Sequence, residues 1–397
     1  MRKNGVNREL TPIAGGVCAV DGFLANAVVT EKSKTGKADF GLIFSDKRCA
    51  TACVCASGEK VGAPVKVTRK HSKNGLAQGI VFNSGKANVF QEDGVQVAER
   101  ICDALAARLK IDRQDFVIAS TGAIGESLQS QPFENAAKSL VDGLSSTEEN
   151  ACLVAQALLT DDLHVKHFAY SFMLGDVQCR IGAVCKGALR VCPNMATTLC
   201  FITTDVNISS QMLKKALLAK VKDTFNLLNA DGISSPNDTL CVMANGKAGN
   251  WKIENADSEY KKFADVLEKV LMQACKEIAK ESGKLLTCTV GGAKSKQDAR
   301  ALAKALVGTS GVKNMLIKGR ADITGLLYAV TTSGVEADEK ALRMELRTDT
   351  QRLVLYEDGR AVTGCDGVFG ALAKDDVAMF IELGAGNYKA MAYGSFS

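Results

Sequence analysis

A tight turn that runs directly into a β-rich segment constrains this chain more than any other feature of its sequence. The turn is centred on Pro193-Asn194, and the segment extends from Thr197 to Thr204. A strand that begins with a hydroxyl residue straight after such a turn suggests self-cleavage between Ala196 and Thr197. The new terminal amine of Thr197 could then act as the base for its own hydroxyl, which is one way to activate a weak nucleophile. The spacing alone also fits an ordinary strand that is entered through a turn.

The residues around this turn resemble the glutamate N-acetyltransferase / ornithine acetyltransferase family of arginine biosynthesis. The matching residues are Lys186-Gly187, the unbroken run Pro193–Thr197, and Thr203-Thr204-Asp205 at the end of the strand. In that family the chain is cut before the threonine. The resemblance therefore implies an α fragment of residues 1–196 and a β fragment of residues 197–397, which form one intertwined catalytic unit and usually an α2β2 heterotetramer.

A second loop supplies a candidate oxyanion site. The predicted strand Asp115–Ala119 runs into Thr121-Gly122. A hydroxyl and a backbone N–H at a loop tip are suited to holding an oxyanion, although a plain strand-to-loop turn would look the same. The family that the chain resembles has a TG-x-IG segment at this place, and its Thr-Gly pair forms the oxyanion hole. The resemblance implies this role for Thr121 and Gly122.

The resemblance also implies residues that bind the substrate, in addition to the nucleophile Thr197. Thr160 lies in a segment that loosely matches a TTD-type segment of the family, and Glu281 is the best candidate for the acidic residue of a turn that is longer in family members. Lys186 would neutralise a substrate carboxylate or support the cleavage site, and a lysine considered alone could equally lie on the surface. The chain stops at Ser397, where family members normally continue into a tail that contacts the substrate, so we expect one wall of the pocket to differ.

Alternating strand and helix patterns predict a mixed α/β protein. The resemblance implies a layered sandwich of central sheets covered by helices, with a smaller C-terminal lobe. The patterns predict strands over Gly41–Asp46, Thr51–Ser57, Gln78–Phe82, Leu240–Ala244, Leu285–Val290 and Met315–Lys318, helices capped by Ser146 and Ser210, a helix over Ser258–Ala279, and a final hairpin that joins Val377–Leu383 to Tyr388–Tyr393.

Composition and charge argue against several other classes of protein. The formal net charge of +5 is small for 397 residues, and the basic run Lys66–Lys73 contains no aromatic residue, so we expect no nucleic-acid partner. No apolar run reaches the length of a membrane span, and residues 1–10 lack the apolar core of a signal peptide. The cysteines are scattered without C-x-x-C spacing, which favours buried thiols in a cytoplasmic protein. His164 and His167 have H-x-x-H spacing but no third ligand nearby, so we expect neither a metal nor a resident cofactor.

These features predict a self-cleaving acetyltransferase that moves acetyl from N2-acetyl-L-ornithine to L-glutamate through an acetyl-Thr197 ester, with ping-pong kinetics. The sequence neither requires nor excludes acetyl-CoA as a co-substrate. A related N-terminal-nucleophile amidohydrolase or aminopeptidase remains an alternative, because a more open pocket would admit water as the acceptor. A degenerate relative with a structural or interaction role is a third reading. A Ser-His-Asp triad fits less well, because the chain has three histidines and no G-x-S-x-G motif.

Overall fold

Two compact units make up the part of the chain that the structure describes. The computed structural model describes residues 10–31, 33, 36–187, 198–229, 235–281, 283–319, 323–362 and 376–396. Of these, the residues up to 187 together with 198–219 and 235–270 form the first unit, and those within 220–229 and 271–396 form the second. Each unit contains a β-sheet and helices, which confirms the predicted mixed α/β class.

The first unit is built on one large sheet. Its strands are β1 (Thr11–Ile13), β2 (Phe23–Val28), β3 (Phe40–Cys55), β4 (Leu76–Asn83), β5 (Phe116–Ser120), β6 (Lys166–Leu174), β7 (Val177–Lys186), β8 (Leu199–Thr204) and β9 (Thr239–Ala244). Within the described residues, eight of these strands follow the order β1-β6-β7-β8-β9-β3-β4-β5, and the ninth, β2, pairs with β3.

Strand β3 is a single long strand, whereas the sequence pattern predicted two strands separated by a turn. Its pairing with β4 shifts register between Phe44 and Cys49, and the polar residues 46–48 in this interval are exposed. The polar interruption therefore belongs to an irregularity within the strand, which bends it without ending it. The first half of β3 pairs with β2 and the second half with β9.

The sheet folds over on itself around this bend. The rings of Phe82 on β4 and Phe201 on β8 lie 5.9 Å apart, although β9 and β3 separate these strands in the sheet. Because adjacent strands are about 4.8 Å apart, a flat sheet would hold the two rings roughly three times that distance apart. The two halves of the sheet therefore face each other across a buried core that includes Ile43, Phe82 and Phe201.

Helices cover the sheet of the first unit. They are α1 (Ala63–His71), α2 (Gly94–Leu109), α3 (Gln131–Asp142) and α4 (Glu148–Ala157), and two further helices follow in the chain, α5 (Ser210–Val221) and α6 (Ser258–Lys280). A second core, which contains Leu42, Val81 and Ile118 of the strands, includes residues of α1, α2 and α3. Neighbouring residues such as Val81 and Phe82 belong to different cores, so both faces of these strands are buried. No described helix is long and apolar enough to span a membrane.

The caps of two helices each lie one residue away from the predicted position. Thr147, rather than Ser146, caps α4, because its hydroxyl accepts a hydrogen bond from the Asn150 N–H at 3.2 Å. Ser209 caps α5 and accepts from the Met212 N–H at 3.3 Å, whereas the Ser210 hydroxyl donates to the Gly75 carbonyl at 2.6 Å. Where two hydroxyl residues are adjacent, only the three-dimensional structure shows which hydroxyl oxygen accepts a hydrogen bond from the N–H of the third helical residue.

The second unit contains a smaller sheet and its own helices. Its elements are β10 (Lys284–Ala293), α7 (Lys296–Gly308), α8 (Ser310–Lys318), α9 (Ile323–Thr332), β11 (Arg343–Arg347), β12 (Arg352–Glu357), β13 (Arg360–Ala361), β14 (Val377–Glu382) and β15 (Tyr388–Phe396). Among the described residues, the strand order is β13-β12-β11-β14-β10-β15.

The predicted final hairpin is wrong, because β10 lies between β14 and β15. It pairs with β14 in parallel and with β15 antiparallel. The glycine-containing turn therefore passes around the end of β10, and the N–H groups of Ala385 and Gly386 both donate to the Gly292 carbonyl at 2.8 and 2.7 Å. Two apolar runs joined by a short glycine turn look like a hairpin, and nothing local in the sequence shows that a distant strand pairs between them.

The predicted strand Met315–Lys318 is also wrong, because these residues belong to helix α8. Val312, Met315 and Leu316 are its buried residues, which is helical spacing, and Gly319 ends the helix with a φ of 61°. A short apolar run of this kind does not distinguish a strand from a buried turn of helix.

Candidate active site

Two loops at one edge of the first sheet form the base of the candidate site. Strands β4 and β5 are parallel, with Asn83 opposite Ser120, so their C-terminal loops leave the sheet side by side. The Thr121 N–H donates to the Asn83 carbonyl at 3.0 Å, and the Ser120 hydroxyl donates to Asn83 Oδ1 at 2.6 Å. These bonds hold the predicted Thr121-Gly122 pair at the end of β5.

Gly122 lies where the two loops touch. Its φ is +126°, and a Cβ at this position would lie 2.2 Å from the carbonyl carbon of Gly85. The next residue, Ala123, donates its N–H to the Gly85 carbonyl at 3.0 Å. Only glycine fits this backbone conformation and this close approach. Among the described residues, the Gly122 N–H donates no hydrogen bond.

The Lys186 side chain contacts two other predicted site residues. Lys186 is the last residue of β7 and is 0% exposed, so it is a buried lysine rather than a surface one. Its ammonium group donates to Thr160 Oγ1 at 2.7 Å and to Thr121 Oγ1 at 3.2 Å. Because an ammonium group can only donate, the hydroxyl hydrogen of Thr121 remains free to point at another acceptor.

Asp162 shares its carboxylate between two buried lysines. Its Oδ2 lies 3.2 Å from the Lys186 ammonium, and its Oδ1 accepts from the Lys166 ammonium and from the Gly187 N–H, each at 2.9 Å. Burial alone would raise the pKa of Asp162, but the charges of Lys186 and Lys166 and the hydrogen bonds from Lys166 and Gly187 outweigh it and lower that pKa.

Two opposing effects act on the charge of the buried Lys186 side chain. Burial lowers the pKa of the Lys186 ammonium, and the attraction of Asp162 opposes that shift. The negative charge of Asp161 acts on Lys186 in the same direction as that of Asp162.

A second acidic side chain lies on the other side of the predicted cleavage point. Asp238 Oδ1 accepts from the Thr198 N–H at 2.7 Å, and its Oδ2 accepts from the Ser235 N–H at 3.2 Å. Burial raises the pKa of Asp238 from 3.8 to about 6, although both N–H groups and the charge of Lys186 act in the opposite direction. Gly187 and Thr198, the described residues on either side of the predicted cleavage point, thus each donate an N–H to an aspartate.

The pKa of Asp238 gives a testable pH dependence. A carboxyl group with a raised pKa in the folded state favours folding below its unfolded value, and that contribution is lost as the pH rises through the folded value. Between pH 7 and pH 4, the free energy of unfolding of the wild type should therefore rise by about 2 kcal/mol relative to the Asp238→Asn variant. Urea unfolding of both proteins at several pH values measures the difference. A constant difference, or one that falls with acid, would contradict the raised pKa.

The structure brings together some of the predicted site residues. Thr121, Gly122, Thr160 and Lys186 form one cluster in the first unit. Glu281 belongs to the second unit, where its side chain is 3% exposed, and its predicted role stays a prediction. The cleavage residues Ala196 and Thr197 lie outside the described residues.

Sequence reasoning missed the residues that support this cluster. Asp162 lies two residues after Thr160, in the segment that the resemblance had singled out, but no role was predicted for Asp162 or for Asp238. No sequence pattern pointed to Lys166, which looks like an ordinary strand residue until its burial is seen. Across the part of the chain that the structure describes, no group of three or more metal-ligating side chains is placed to hold a metal ion.

Known proteins resemble this chain over nearly its whole length. The model of the ArgJ family matches residues 25–395. The chain is 33% identical over 386 residues to the arginine biosynthesis bifunctional protein ArgJ of Lactococcus lactis, covering 96% of this chain and 95% of that protein. It is 32% identical over 401 residues to the glutamate N-acetyltransferase of Methanothermobacter thermautotrophicus, covering 97% and 95%. A crystal structure of an ArgJ protein from Bacillus halodurans matches with a TM-score of 0.47 and 28% identity, covering 50% of this chain and 93% of that one.

The buried cluster of hydroxyl, ammonium and backbone N–H donors, taken with these relatives, defines an enzyme of the acyltransferase class. The chain belongs to the ArgJ family.

Proposed function

We propose that this enzyme cleaves itself before Thr197 and then carries acetyl groups from N2-acetyl-L-ornithine to L-glutamate on the hydroxyl of that residue. The main support is the cluster of Thr121, Gly122, Thr160 and Lys186 at the end of β7, one residue before the segment that contains Thr197. The names of the relatives in arginine biosynthesis and glutamate N-acetylation give the same reaction type. The proposal includes a cytoplasmic location.

Cleavage needs only the chain's own groups and one water molecule. The Oγ of Thr197 attacks the Ala196 carbonyl carbon and loses its proton, and the C–N bond breaks as the nitrogen gains one. Water then hydrolyses the resulting ester, which leaves a carboxylate on Ala196 and a free amine and hydroxyl on Thr197. The proline at 193 restricts the preceding turn and helps to hold the carbonyl near the hydroxyl.

Transfer proceeds in two half-reactions on the freed threonine. The α-amine, whose ordinary pKa is about 7.7 to 8.0, takes the Thr197 hydroxyl proton as Oγ attacks the acetyl carbonyl. The Thr121 hydroxyl and the Gly122 N–H donate to the oxyanion, and ornithine leaves with the proton. The amine of glutamate then attacks the acetyl ester in the same way. Lys186 and Thr160 bind the carboxylate of each amino acid, and Glu281 is proposed as a further substrate contact.

The sheet of the first unit supports lasting association of the two fragments. Strands β8 and β9 belong to the fragment 197–397, yet they lie between β7 and β3 of the fragment 1–196. Six residue pairs join β7 to β8, and six join β3 to β9. Separating the fragments would break both ladders, so we propose that they stay together, in an α2β2 assembly.

Thr197 is the direct test of the proposal. We expect purified wild-type protein to show two bands on a denaturing gel, with Thr197 at the N-terminus of one fragment. Thr197→Ala should give one uncut band near 42 kDa and no turnover, because it removes the hydroxyl that both steps require. Thr197→Ser, which keeps a hydroxyl, should still be cut. Cleavage or turnover in Thr197→Ala would overturn the proposal.

The substrates are tested separately with labelled acetyl groups. We expect label to pass from N2-acetyl-L-ornithine to L-glutamate, and back, with parallel lines in a double-reciprocal plot, as in ping-pong kinetics. Acetyl-CoA in place of acetylornithine tests whether it is also a donor. Release of free acetate without any dependence on glutamate would instead identify an amidohydrolase.

A further inference from the structure

Two consecutive residues in the turn before β9 contact both sides of the proposed catalytic centre. Asn237 is 1% exposed, and its amide nitrogen donates to the carbonyls of Ala87 at 2.6 Å and Ser120 at 3.0 Å. Ser120 directly precedes Thr121, and Ala87 follows Gly85 and Lys86, the loop residues against which Gly122 packs. Asn237 therefore holds both loops of the oxyanion site.

Its neighbour Asp238 holds the residue that follows the proposed nucleophile. Its carboxylate accepts from the Thr198 N–H at 2.7 Å, and the next residue, Thr239, donates its own N–H to the Thr198 carbonyl at 3.0 Å. Both backbone polar groups of Thr198 are thereby fixed by two consecutive residues. The second carboxylate oxygen accepts from the Ser235 N–H, which ties Asp238 to its own turn.

We propose that Asn237 and Asp238 act together as positioning residues, which set the distance between the Thr197 hydroxyl and the oxyanion donors. This inference rests on the proposed function of Thr197, Thr121 and Gly122. Adjacent Cα atoms are held about 3.8 Å apart by the trans peptide, so one dipeptide links the two catalytic parts with little freedom.

The surroundings of Asn237 are shaped for this side chain. A Cβ at Gly62 would lie 1.9 Å from Asn237 Oδ1, so the absence of a side chain at residue 62 leaves the space that the amide occupies. The Asn237 Oδ1 atom is buried without a hydrogen-bond partner among the described residues. The contacts of the side chain are thus made by its NH₂ group, which points at the two loop carbonyls. An aspartate at this position would turn an oxygen toward them instead.

The chain supplies a matched control for Asp238. Asp205 follows the other end of β8, is 5% exposed, and accepts from the Arg180 N–H at 2.7 Å. Burial also raises the pKa of Asp205. Both aspartates accept a hydrogen bond from a backbone N–H and have a pKa that burial raises, and they differ in whether they lie next to Thr197 or at the opposite end of β8.

The test measures cleavage of the precursor and steady-state kinetics in Asn237→Asp, Asn237→Ala, Asp238→Ala, Asp238→Asn and Asp205→Asn. Misplacing a reacting group by about 1 Å costs on the order of 100-fold in rate, so we expect cleavage and kcat to fall by that order in Asn237→Asp and Asp238→Ala. KM should change only a few-fold, because the contacts of Lys186 and Thr160 are untouched. Asp238→Asn should be intermediate, since an amide oxygen can serve only one of the two N–H groups.

Asp205→Asn should cleave and turn over like the wild type, since its remaining amide oxygen can still accept from Arg180.

Rates are divided by the folded fraction, which circular dichroism and thermal unfolding provide. The inference is overturned if the Asn237 and Asp238 variants cleave and turn over at wild-type rates per folded molecule. It is also overturned if these rates fall as far in Asp205→Asn as in those variants. An inactive Thr197→Ala beside active Asn237 and Asp238 variants refutes only this inference. An active Thr197→Ala refutes the proposed function itself.

Discussion

Replacement of Asp162 by alanine is expected to lower the free energy of unfolding by about 3 to 5 kcal/mol, because it leaves two buried ammonium groups without their carboxylate. Lys166 and Lys186 are 1% and 0% exposed at their side chains, and each contacts Asp162. The Gly187 N–H would lose its acceptor as well. Urea unfolding, carried out in the uncut Thr197→Ala background so that the chain remains one piece, measures the loss.

Two comparison variants separate charge pairing from simple loss of an aspartate. Lys186→Met should lower the free energy of unfolding clearly less than Asp162→Ala, because the ion pair of Lys166 and Asp162, which has no net charge, remains. Asp142→Ala removes an exposed carboxylate that pairs with Lys138 one helical turn away, and its effect should stay within about 0.5 kcal/mol. A loss below about 1 kcal/mol in Asp162→Ala, or a larger loss in Lys186→Met, would show that the two lysines do not depend on this carboxylate.

Gly122→Ala is expected to reduce kcat by roughly 100- to 1,000-fold, which is the usual cost of losing one oxyanion donor. An added Cβ would lie 2.2 Å from a carbonyl carbon and 2.6 Å from the next backbone nitrogen, both in the loop after β4. Because backbone rather than a flexible side chain occupies the space, the loops must separate and the Gly122 N–H must move. Steady-state kinetics with the acetyl donor measures the effect.

Gly125→Ala is the matched control for this variant. Gly125 also has a positive φ, +86°, but a Cβ there meets nothing within 4 Å. The Gly125→Ala variant therefore introduces similar backbone strain in the same loop, but its Cβ does not collide with other atoms. We expect kcat within a few-fold of the wild type. Equal losses in the two variants would mean that strain in the loop, and not displacement of Gly122, limits the reaction.

The sequence predicted the parts of the site that carry local signals. Thr121-Gly122 follows an apolar strand, and Lys186 lies within a recognisable motif, so both could be found by pattern and resemblance. Asp162, Lys166 and Asn237 could not be assigned roles, because their roles depend on contacts with residues distant in the chain.

The same limit explains the errors in the fold. Pairing of β10 between β14 and β15 depends on residues about ninety positions away from β14, whereas a glycine turn predicts only a local hairpin. The register shift in β3 lies in a stretch of polar residues. In the sequence, such a stretch favours two separate strands over one bent strand. Helix α6, which has a clear apolar period, was predicted nearly as it is found.

The position of β8 and β9 between β7 and β3 bears on when maturation can occur during synthesis. A nascent chain that has left the ribosome only as far as the end of β8 has no β9 to pair with that strand, and no Asn237 or Asp238 to align the scissile bond. Under the proposed mechanism, peptide-bond scission must wait until the sheet is complete. Cleavage would thus occur only in chains whose first unit has folded, and truncated chains would remain uncleaved.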